Sequence, residues 1–168
     1  GHNSAATLHL YIESMRQAYA DRSLYAGDPA FFKVPVEHLI DKEYAKEIRA
    51  RIPMDRARLS SEVAPTKDWL KESMETTHFS VMDDQGNAVS NTYTLNFGFG
   101  NGIMAAGTGI LLNNELDDFD HLPYEPDANG NISGKANAQE PHKRPRSSMT
   151  PTIVFKDDKP FLVTGSPG

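Results

Sequence analysis

The sequence predicts an α+β chain in which helices come first and antiparallel strands follow. Three observations support this class. Apolar residues recur at helical spacing in the first 52 residues, apolar and polar residues alternate in runs after residue 76, and a polar segment with neither period separates the two parts. We therefore divide the chain into a helical part (1–52), an exposed linker (53–75) and a part with antiparallel strands (76–168).

The helical part is predicted to contain two amphipathic helices. The first spans residues 5 to 22, because Ser4 can cap it and four apolar side chains repeat on one face: Leu8, Ile12, Met15 and Tyr19. The second begins after Asp41, which can cap it, and ends at Pro53. Its apolar face consists of Tyr44, Ile48 and Ile52.

Alternating residues predict a β-hairpin around the turn "DDQGN" (83–87). The alternating positions are Thr77, Phe79 and Val81 before the turn and Val89, Asn91, Tyr93 and Leu95 after it. Another strand-like run is "GTGILLNN" (107–114). A second hairpin is predicted from "PTIVFK" (151–156) and "PFLVTG" (160–165), which the turn "DDK" joins.

Residues 121–146 interrupt the strands with a segment rich in Pro, Asn, Gly and charge. We predict that this loop is too polar to pack. Loops of this length in a compact domain are often functional lids or disordered segments. Residues 121–134 are therefore a candidate lid or a disordered segment.

Composition excludes several classes of partner. The formal charge is −6, and "HKRPR" (142–146) is the one cluster of basic residues, so a nucleic-acid surface is not expected. The absence of cysteine excludes disulfides and thiolate metal sites. No apolar run approaches the length of a membrane span. Because the chain begins without Met and ends in a strand-like run, we interpret it as a piece of a longer polypeptide.

Thr76, at the start of the first predicted strand, raises a chemical question. A threonine hydroxyl is a weak nucleophile and needs a base, and one available base is its own α-amine. That amine exists only if the Glu75–Thr76 bond is cut. The exposed linker before it is where such a cut could occur. On residue pattern alone, the β-propensity of threonine is the better explanation of the pair.

Four stretches, in this order and at these separations, resemble the γ-glutamyltransferase (γ-glutamyltranspeptidase) family of N-terminal-nucleophile hydrolases: "TTHFSVMDDQGNAVSNTYTLN", "GILLNNELDDF", "KRPRSSMTPTIV" and "VTGSPG". The upstream "AYADRSLYAGDPAFFKVP" is similar to the end of that family's large subunit. The resemblance covers nearly the whole chain. It implies the end of the large subunit, the processing site and the front of the small subunit, within the four-layer αββα sandwich of this hydrolase class.

The resemblance also implies roles for individual residues. Thr76 matches the catalytic threonine that self-cleavage after Glu75 makes the first residue of the small subunit. Thr94 matches the residue whose hydroxyl assists processing and catalysis. The positions that hold the amino and carboxylate end of a glutamyl substrate are matched by Asn96, Glu115 and Asp118.

Ser147 and Ser148 match the serines that contact the substrate carboxylate, although many relatives have Leu where this chain has Arg146. Gly168 matches the first of two glycines whose N–H groups form the oxyanion hole. The second glycine, and the arginine of the large subunit that pairs with the substrate carboxylate, lie outside this sequence. We therefore expect residues 1–168 alone to be inactive.

Other interpretations stay open for the residues themselves. "NNELDDF" is also typical of a solvated turn or a calcium site. The two serines are also typical of ordinary loop residues. His78, next to the threonine pair, is a candidate base. Its side chain should lie on the opposite sheet face from Thr77 and Phe79, so we expect a packed, hydrogen-bonded histidine.

The resemblance implies γ-glutamyl transfer from glutathione or another γ-glutamyl amide to water or an amino acid, without a metal or organic cofactor. The expected partners are the small-molecule substrate and the remaining parts of both subunits. The expected location is periplasmic, secreted or at the cell surface. The alternatives are an acylase for glutaryl-type β-lactam side chains, and a non-catalytic or unprocessed homologue. Glu115 and Asp118 favour a substrate that carries an ammonium group.

Overall fold

The computed structural model describes residues 1–63, 76–125 and 133–167. The chain forms two units: Gly1–Leu70 with Phe119–Arg146, and Lys71–Asp118 with Ser147–Gly168. In the described residues, the α-helices belong to the first unit and the antiparallel strands to the second, as the predicted α+β order requires. The four-layer sandwich stays an expectation.

The helices of the first unit are α1 (Ala5–Tyr25), α2 (Val36–Leu39), α3 (Lys42–Arg51) and α4 (Ser60–Val63). Both predicted caps are present, since Ser4 Oγ accepts a hydrogen bond from the N–H of Thr7 at 3.3 Å and Asp41 Oδ1 accepts one from Glu43 at 2.8 Å. The two predicted helices are therefore confirmed. Among the described residues, no helix is both long and apolar enough to cross a membrane.

The face of α1 that packs inward differs from the apolar face that the spacing predicts. Leu8, Ile12 and Met15 remain 46 to 56% exposed. The buried side chains are instead Glu13, Gln17, Ala20 and Ser23. The predicted helix is correct, but its buried face is polar because charged partners from a distant segment contact it.

A buried ion pair supplies those partners. Arg58 Nε donates to Glu13 Oε2 at 2.6 Å, and Arg58 Nη2 donates to the carbonyl of Glu13 at 3.0 Å. Arg16 donates to the other carboxylate oxygen at 2.6 Å and to the carbonyl of Arg58 at 2.8 Å. Burial alone would raise the pKa of Glu13, but the hydrogen bonds from Arg58 and Arg16 outweigh it and hold that pKa below its ordinary value.

Part of the predicted exposed linker is packed. Residues 53–63 contain α4, and both Arg58 and Val63 are buried. Most other residues of this segment are exposed, as predicted, and Arg58 is buried because it pairs with Glu13 in α1. The rest of the linker, residues 64–75, lies outside the described residues.

The polar loop also packs, contrary to the prediction. Residues 135–137 form a 3₁₀-helix in which Ala136 and Asn137 are fully buried. The N–H of Gly134 donates to the carbonyl of Ser23 in α1 at 3.1 Å. The predicted lid includes residues 126–132, which lie outside the described residues, and it stays a prediction.

Ion pairs anchor the end of this loop to the first unit. Arg144 makes a two-pronged contact with Asp28, with Nε–Oδ2 at 2.9 Å and Nη2–Oδ1 at 2.7 Å. Hydrogen bonds from the Arg144 side chain and from the N–H groups of Ala30 and Arg144 hold the pKa of Asp28 well below its ordinary value. Arg146 Nη2 lies 3.4 Å from Asp120 Oδ1. Polar composition therefore did not prevent packing, because Arg144 and Arg146 pair with acidic residues of the first unit.

The second unit contains two antiparallel hairpins, as predicted. β1 (Thr76–Met82) pairs with β2 (Ala88–Thr94), and β3 (Thr152–Lys156) pairs with β4 (Lys159–Thr164). The two hairpins are joined through Ser90, whose Oγ donates to the carbonyl of Thr164 at 2.8 Å and accepts from the N–H of Thr152 at 3.1 Å. Each two-stranded sheet thus contacts the other within this unit.

The strand predicted over residues 107–114 is absent. Gly107 and Gly109 adopt φ values of 75° and 72°, and Thr108 Oγ1 accepts from the N–H of Ile110 at 3.0 Å, so the chain turns here. What remains of strand pairing in this stretch is an isolated bridge between Met104 and Leu111. The apolar run "GILL" suggested a strand, but glycine and threonine turn chemistry determined the backbone.

Candidate active site

Thr76 and Thr94 lie directly opposite each other at the open end of the first hairpin. Thr76 is the first residue of β1, and its cross-strand partner is Thr94, the last residue of β2. Directly opposed residues of an antiparallel pair have Cβ atoms about 4.5–5.5 Å apart on the same face. Both residues are half-buried. The register therefore places two threonine hydroxyls together at the start of the predicted small subunit.

The Thr94 hydroxyl is held by the backbone that follows it. Thr94 Oγ1 accepts a hydrogen bond from the N–H of Asn96 at 3.0 Å. Asn96 is buried and has a φ of 74°, in the left-handed region that asparagine tolerates better than most residues. The turn at Asn96 thus fixes the orientation of Thr94 next to Thr76.

Asn96 also connects this end of β2 to the segment that carries the acidic residues. Its Nδ2 donates to the carbonyl of Asn114 at 3.3 Å. The side chain of Asn114 accepts from the N–H of Phe97 at 3.1 Å, and its N–H donates to the carbonyl of Leu95 at 3.1 Å. Sequence reasoning missed Asn114. The signal available was its place in "NN", since asparagine is typical of turns in which side chains bond to the backbone.

The acidic pair, Glu115 and Asp118, lies in the segment directly after Asn114. Residues Glu115–Asp118 form a 3₁₀-helix, and Asn113 Oδ1 accepts from the N–H of Glu115 at 3.0 Å at its start. In a 3₁₀-helix, side chains three residues apart lie on the same side. Burial, together with the hydrogen bond to Asp118 and its negative charge, raises the pKa of Glu115 to about 7. Glu115 therefore carries a proton part of the time near neutral pH, and a cation bound beside the two carboxyl groups could displace that proton.

The structure gives fewer contacts for the remaining predicted site residues. Ser147 and Ser148 precede β3 and are exposed, and Ser147 Oγ accepts from the N–H of Met149 at 3.1 Å. Gly168 and Glu75 lie outside the described residues. The structure thus brings Thr76, Thr94 and Asn96 together with the segment that carries the acids.

His78 is hydrogen-bonded through both ring nitrogens, as predicted. Nδ1 lies 2.7 Å from Thr92 Oγ1, and Nε2 lies 2.9 Å from Ser80 Oγ. His78 lies two residues after Thr76 on the same strand, so both side chains are on the same face. Within residues 1–63, 76–125 and 133–167, no group of three or more His, Asp or Glu side chains could hold a metal ion.

A threonine that begins a strand, opposed by a second threonine and followed by an acidic pair, fits the class that the motifs indicate, the N-terminal-nucleophile hydrolases. The sequence pattern of the Gamma-glutamyltranspeptidase family matches residues 1–168. The chain belongs to that family.

Individual relatives agree with this assignment. The chain is 54% identical over 168 residues to the "Glutathione hydrolase proenzyme" of Escherichia coli (strain K12), covering 100% of this chain and 29% of the relative. It is 39% identical over 173 residues to the "Acylase ACY 1 proenzyme" of Pseudomonas sp. (strain SE83), covering 100% and 28%. The chain thus spans less than a third of the length of these relatives.

A solved structure is similar over nearly the full chain. The crystal structure of cephalosporin acylase from Bacillus halodurans matches with a TM-score of 0.71 at 27% identity, covering 97% of this chain and 26% of that one. The fold described above is therefore shared between a γ-glutamyltranspeptidase family member and an acylase.

Proposed function

We propose that the protein to which this chain belongs transfers γ-glutamyl groups from glutathione or other γ-glutamyl amides to water or to amino-acid and peptide acceptors. The reaction passes through an ester on Thr76. The observation that carries this proposal is the opposition of Thr76 and Thr94 at the end of the first hairpin. The relatives named as glutathione hydrolase proenzymes support it.

Self-cleavage comes first in the proposed sequence. The Thr76 hydroxyl attacks the carbonyl of Glu75, and the peptide C–N bond breaks as the amide nitrogen takes a proton. The product is an ester between Glu75 and Thr76 Oγ. Water opens that ester and leaves a free α-amine on Thr76. Thr94, whose hydroxyl the N–H of Asn96 orients, assists from the opposite strand.

The mature reaction uses the new amine as base. It accepts the hydroxyl proton as Thr76 Oγ attacks the γ-carbonyl of the donor. Backbone N–H groups of the "GSPG" turn, at residues 165–168, stabilise the tetrahedral oxyanion. The proton passes to the leaving amine, and the γ-glutamyl ester remains on Thr76. Water or an acceptor amine then repeats the attack and releases the enzyme.

Substrate recognition falls to the acids and the residues near them. Glu115 and Asp118 accept hydrogen bonds from the donor's α-ammonium group, and its positive charge favours loss of the proton from Glu115. Asn96 contributes an amide at the base of the same segment. Ser147 and Ser148 bind the α-carboxylate. Groups of complementary charge and hydrogen-bonding type thus bind the ammonium and the carboxylate on the donor's α-carbon.

The partners of this segment are the remaining parts of the large and small subunits, which form a heterodimer after processing. The support is that the chain spans 29% of the length of the Escherichia coli proenzyme. A further oxyanion donor and a cationic group for the substrate carboxylate come from those parts. We also propose a periplasmic, secreted or cell-surface location, on family resemblance alone.

A second candidate is acylase activity on glutaryl-type β-lactam side chains. The likeness to the cephalosporin acylase structure, with a TM-score of 0.71, favours it as the alternative. A glutaryl group lacks the α-ammonium of glutamate. Two acids at that end of the pocket would then have no cation to bind, so the charge argues for the γ-glutamyl substrate.

The test compares two anilides that differ only in this ammonium group. Purified full-length protein is assayed with γ-glutamyl and glutaryl anilides, together with a Thr76→Ala variant. We expect release of the aniline from the γ-glutamyl donor, and none by Thr76→Ala. Preference for the glutaryl donor would establish the acylase instead. Cleavage of neither donor would favour a non-catalytic homologue.

A further inference from the structure

One face of the first hairpin is polar over its first three cross-strand pairs, and His78 belongs to the middle one. These pairs are Thr76 with Thr94, His78 with Thr92, and Ser80 with Ser90; the pair at the turn, Met82 with Ala88, is apolar. The His78 ring bridges the second and third pairs, because its nitrogens contact Thr92 Oγ1 and Ser80 Oγ. Hydroxyl groups can donate or accept, so either tautomer of the ring is held. The ring is thus fixed and both of its nitrogens are occupied.

The third component of this arrangement is Gly165, which follows β4 and begins the "GSPG" turn. A Cβ atom built on Gly165 would overlap the His78 ring at Cε1 and Nδ1, with Nε2 2.8 Å away. Gly165 does not have a positive φ. The requirement for glycine here is therefore steric: the backbone lies against the imidazole ring with no room for a methyl group.

Two neighbouring contacts fix the same junction. Ser90 Oγ donates to the carbonyl of Thr164, one residue before Gly165, at 2.8 Å. Ser90 thus fixes the end of β4 laterally, and the His78 ring fixes how closely the next residue approaches the hairpin. The position of the turn relative to the strand that begins at Thr76 depends on the thickness of this ring.

We propose that His78 is a positioning residue that sets how closely the backbone at Gly165 approaches the strand that begins at Thr76. The inference rests on the proposed function, in which the turn that starts at Gly165 supplies the oxyanion donors. His78 does not act as the base for Thr76, because its ring nitrogens contact the hydroxyl groups of Thr92 and Ser80. Its effect on the reaction is exerted through Gly165.

The test is a pair of complementary substitutions in the full-length protein. Gly165→Ala adds a methyl group where the ring lies, and His78→Ala removes the ring. In the double variant, removal of the His78 ring leaves room for the added methyl group. His9→Ala is the matched control, since His9 also makes a ring hydrogen bond, to the carbonyl of Pro53 at 2.7 Å, but belongs to the first unit.

Activity is measured as kcat per processed subunit, counted from the amount of chain that begins with Thr76. This excludes losses due only to misfolded or unprocessed protein. A displacement on the order of 1 Å in a reacting geometry costs roughly 10²-fold in rate. We expect Gly165→Ala to lower kcat by about that factor with little change in donor KM. His78→Ala should lower kcat less. The double variant should have a higher kcat than Gly165→Ala.

The pH profile separates positioning from catalysis. If His78 only positions the turn, the pH dependence of kcat/KM in His78→Ala keeps the shape seen in the parent. Loss of an ionisation from that profile would make His78 a base and contradict the proposal. A double variant no better than Gly165→Ala, or Gly165→Ala at parental kcat, would also overturn it. An inactive, uncleaved parent protein would instead count against the proposed function.

If Gly165→Ala yields no processed subunit, His78→Gln provides the second route. Glutamine keeps a donor and an acceptor for Thr92 and Ser80 but lacks the planar ring against Gly165. The proposal predicts a lower kcat with unchanged KM for His78→Gln and recovery when Gly165→Ala is added. Parental kcat in His78→Gln would contradict a role for the ring itself.

Discussion

Different kinds of interaction stabilise each of the two units internally. The described part of the first unit buries Glu13, Asp28, Arg58 and Lys143 together with Ile48, Ile52 and Phe119. In the described part of the second unit, the one fully buried residue is Asn96. Charged side chains drawn together from distant positions define the first unit, whereas strand register and hydroxyl contacts define the second.

The difference is clearest on the two faces of the first hairpin. The polar face carries Thr76 and His78, while the opposite face exposes Phe79, Val81, Val89 and Tyr93 by 46 to 56%. An active site needs precise local geometry, which cross-strand hydrogen bonds provide without a core. An ionic interior gives the first unit specific contacts between segments that are 45 or 116 residues apart.

The largest effect is expected in the first unit, at Arg58. Arg58→Ala removes one of the two cations that contact the buried carboxylate of Glu13 at 2.6 Å, and removal of one partner of a buried pair costs up to about 3–5 kcal/mol. Denaturant unfolding of full-length protein that also carries Thr76→Ala, and therefore stays uncleaved, measures this loss.

A matched control comes from α3, where Lys46 Nζ contacts Glu43 at 2.6 Å with both side chains more than 70% exposed. Lys46→Ala should cost at most about 1 kcal/mol. Equal losses for the two variants would remove the distinction between the ionic interior and the surface pairs. Replacing Glu13 and Arg58 together by Leu and Met should cost less than Arg58→Ala, because the buried carboxylate is then gone and Arg16 keeps its hydrogen bond to the carbonyl of residue 58.

The next effect tests whether the second unit depends on local geometry at Asn96. Asn96→Gly keeps the positive φ accessible but removes the amide that bonds Asn114. Asn96→Ala removes the amide and adds backbone strain of about 1–2 kcal/mol. We expect kcat/KM for the γ-glutamyl anilide to fall in the order parent, Gly variant, Ala variant. An Ala variant as active as the Gly variant would show that the turn conformation is not under strain.

A smaller effect is expected for substrate recognition at Asp118. Asp118→Asn replaces a charged contact to the donor's ammonium by a neutral one, which corresponds to about 1.5–3 kcal/mol in kcat/KM. The glutaryl anilide has no ammonium group and should lose little activity or gain some. Equal losses with both donors would indicate that Asp118 supports the 3₁₀-helix and does not bind the amine.

The smallest effect is a pH dependence that originates at Glu115. Its folded-state pKa of about 7 lies above the ordinary value of 4.5, so the protonated form stabilises the fold. That contribution is complete below pH 4.5 and is lost as the pH rises through about 7. Glu115→Gln, which cannot ionise, should therefore gain stability relative to the parent as the pH rises over this interval.

The same titration should appear in donor binding. In the parent, KM for the γ-glutamyl anilide should fall as the pH rises through about 7, because Glu115 then loses its proton and can accept from the ammonium group. In Glu115→Gln, this fall should be absent. A parallel fall in both proteins would assign the titration to another group.

The sequence predicted what depends on neighbours along the chain. Capping at Ser4 and Asp41 and both hairpins followed from local pattern, and the register then placed Thr94 opposite Thr76. The roles of Glu115, Asp118 and the serines came from the family motifs and stay predictions. The structure adds the contacts between Asn96, Asn114 and the 3₁₀-helix, which no local pattern specified.

What the sequence did not predict depends on partners that are distant along the chain. The polar face of α1 is buried because Arg58 reaches Glu13 from 45 residues away. Asp28 is buried because Arg144, itself largely exposed, contacts it from 116 residues away. Composition suggested exposure in both cases, since unpaired charges avoid burial. Pairing reverses that preference, and the pairs can be identified only from the fold.

The central claim is that Thr76 becomes a free N-terminal nucleophile, and one measurement tests it most directly. Intact mass and N-terminal sequencing of the purified full-length protein should find two polypeptides, the smaller one beginning Thr-Thr-His-Phe from residue 76. The Thr76→Ala protein should remain a single chain under the same conditions. An uncleaved parent after prolonged incubation, or the same cleavage in Thr76→Ala, would contradict the account.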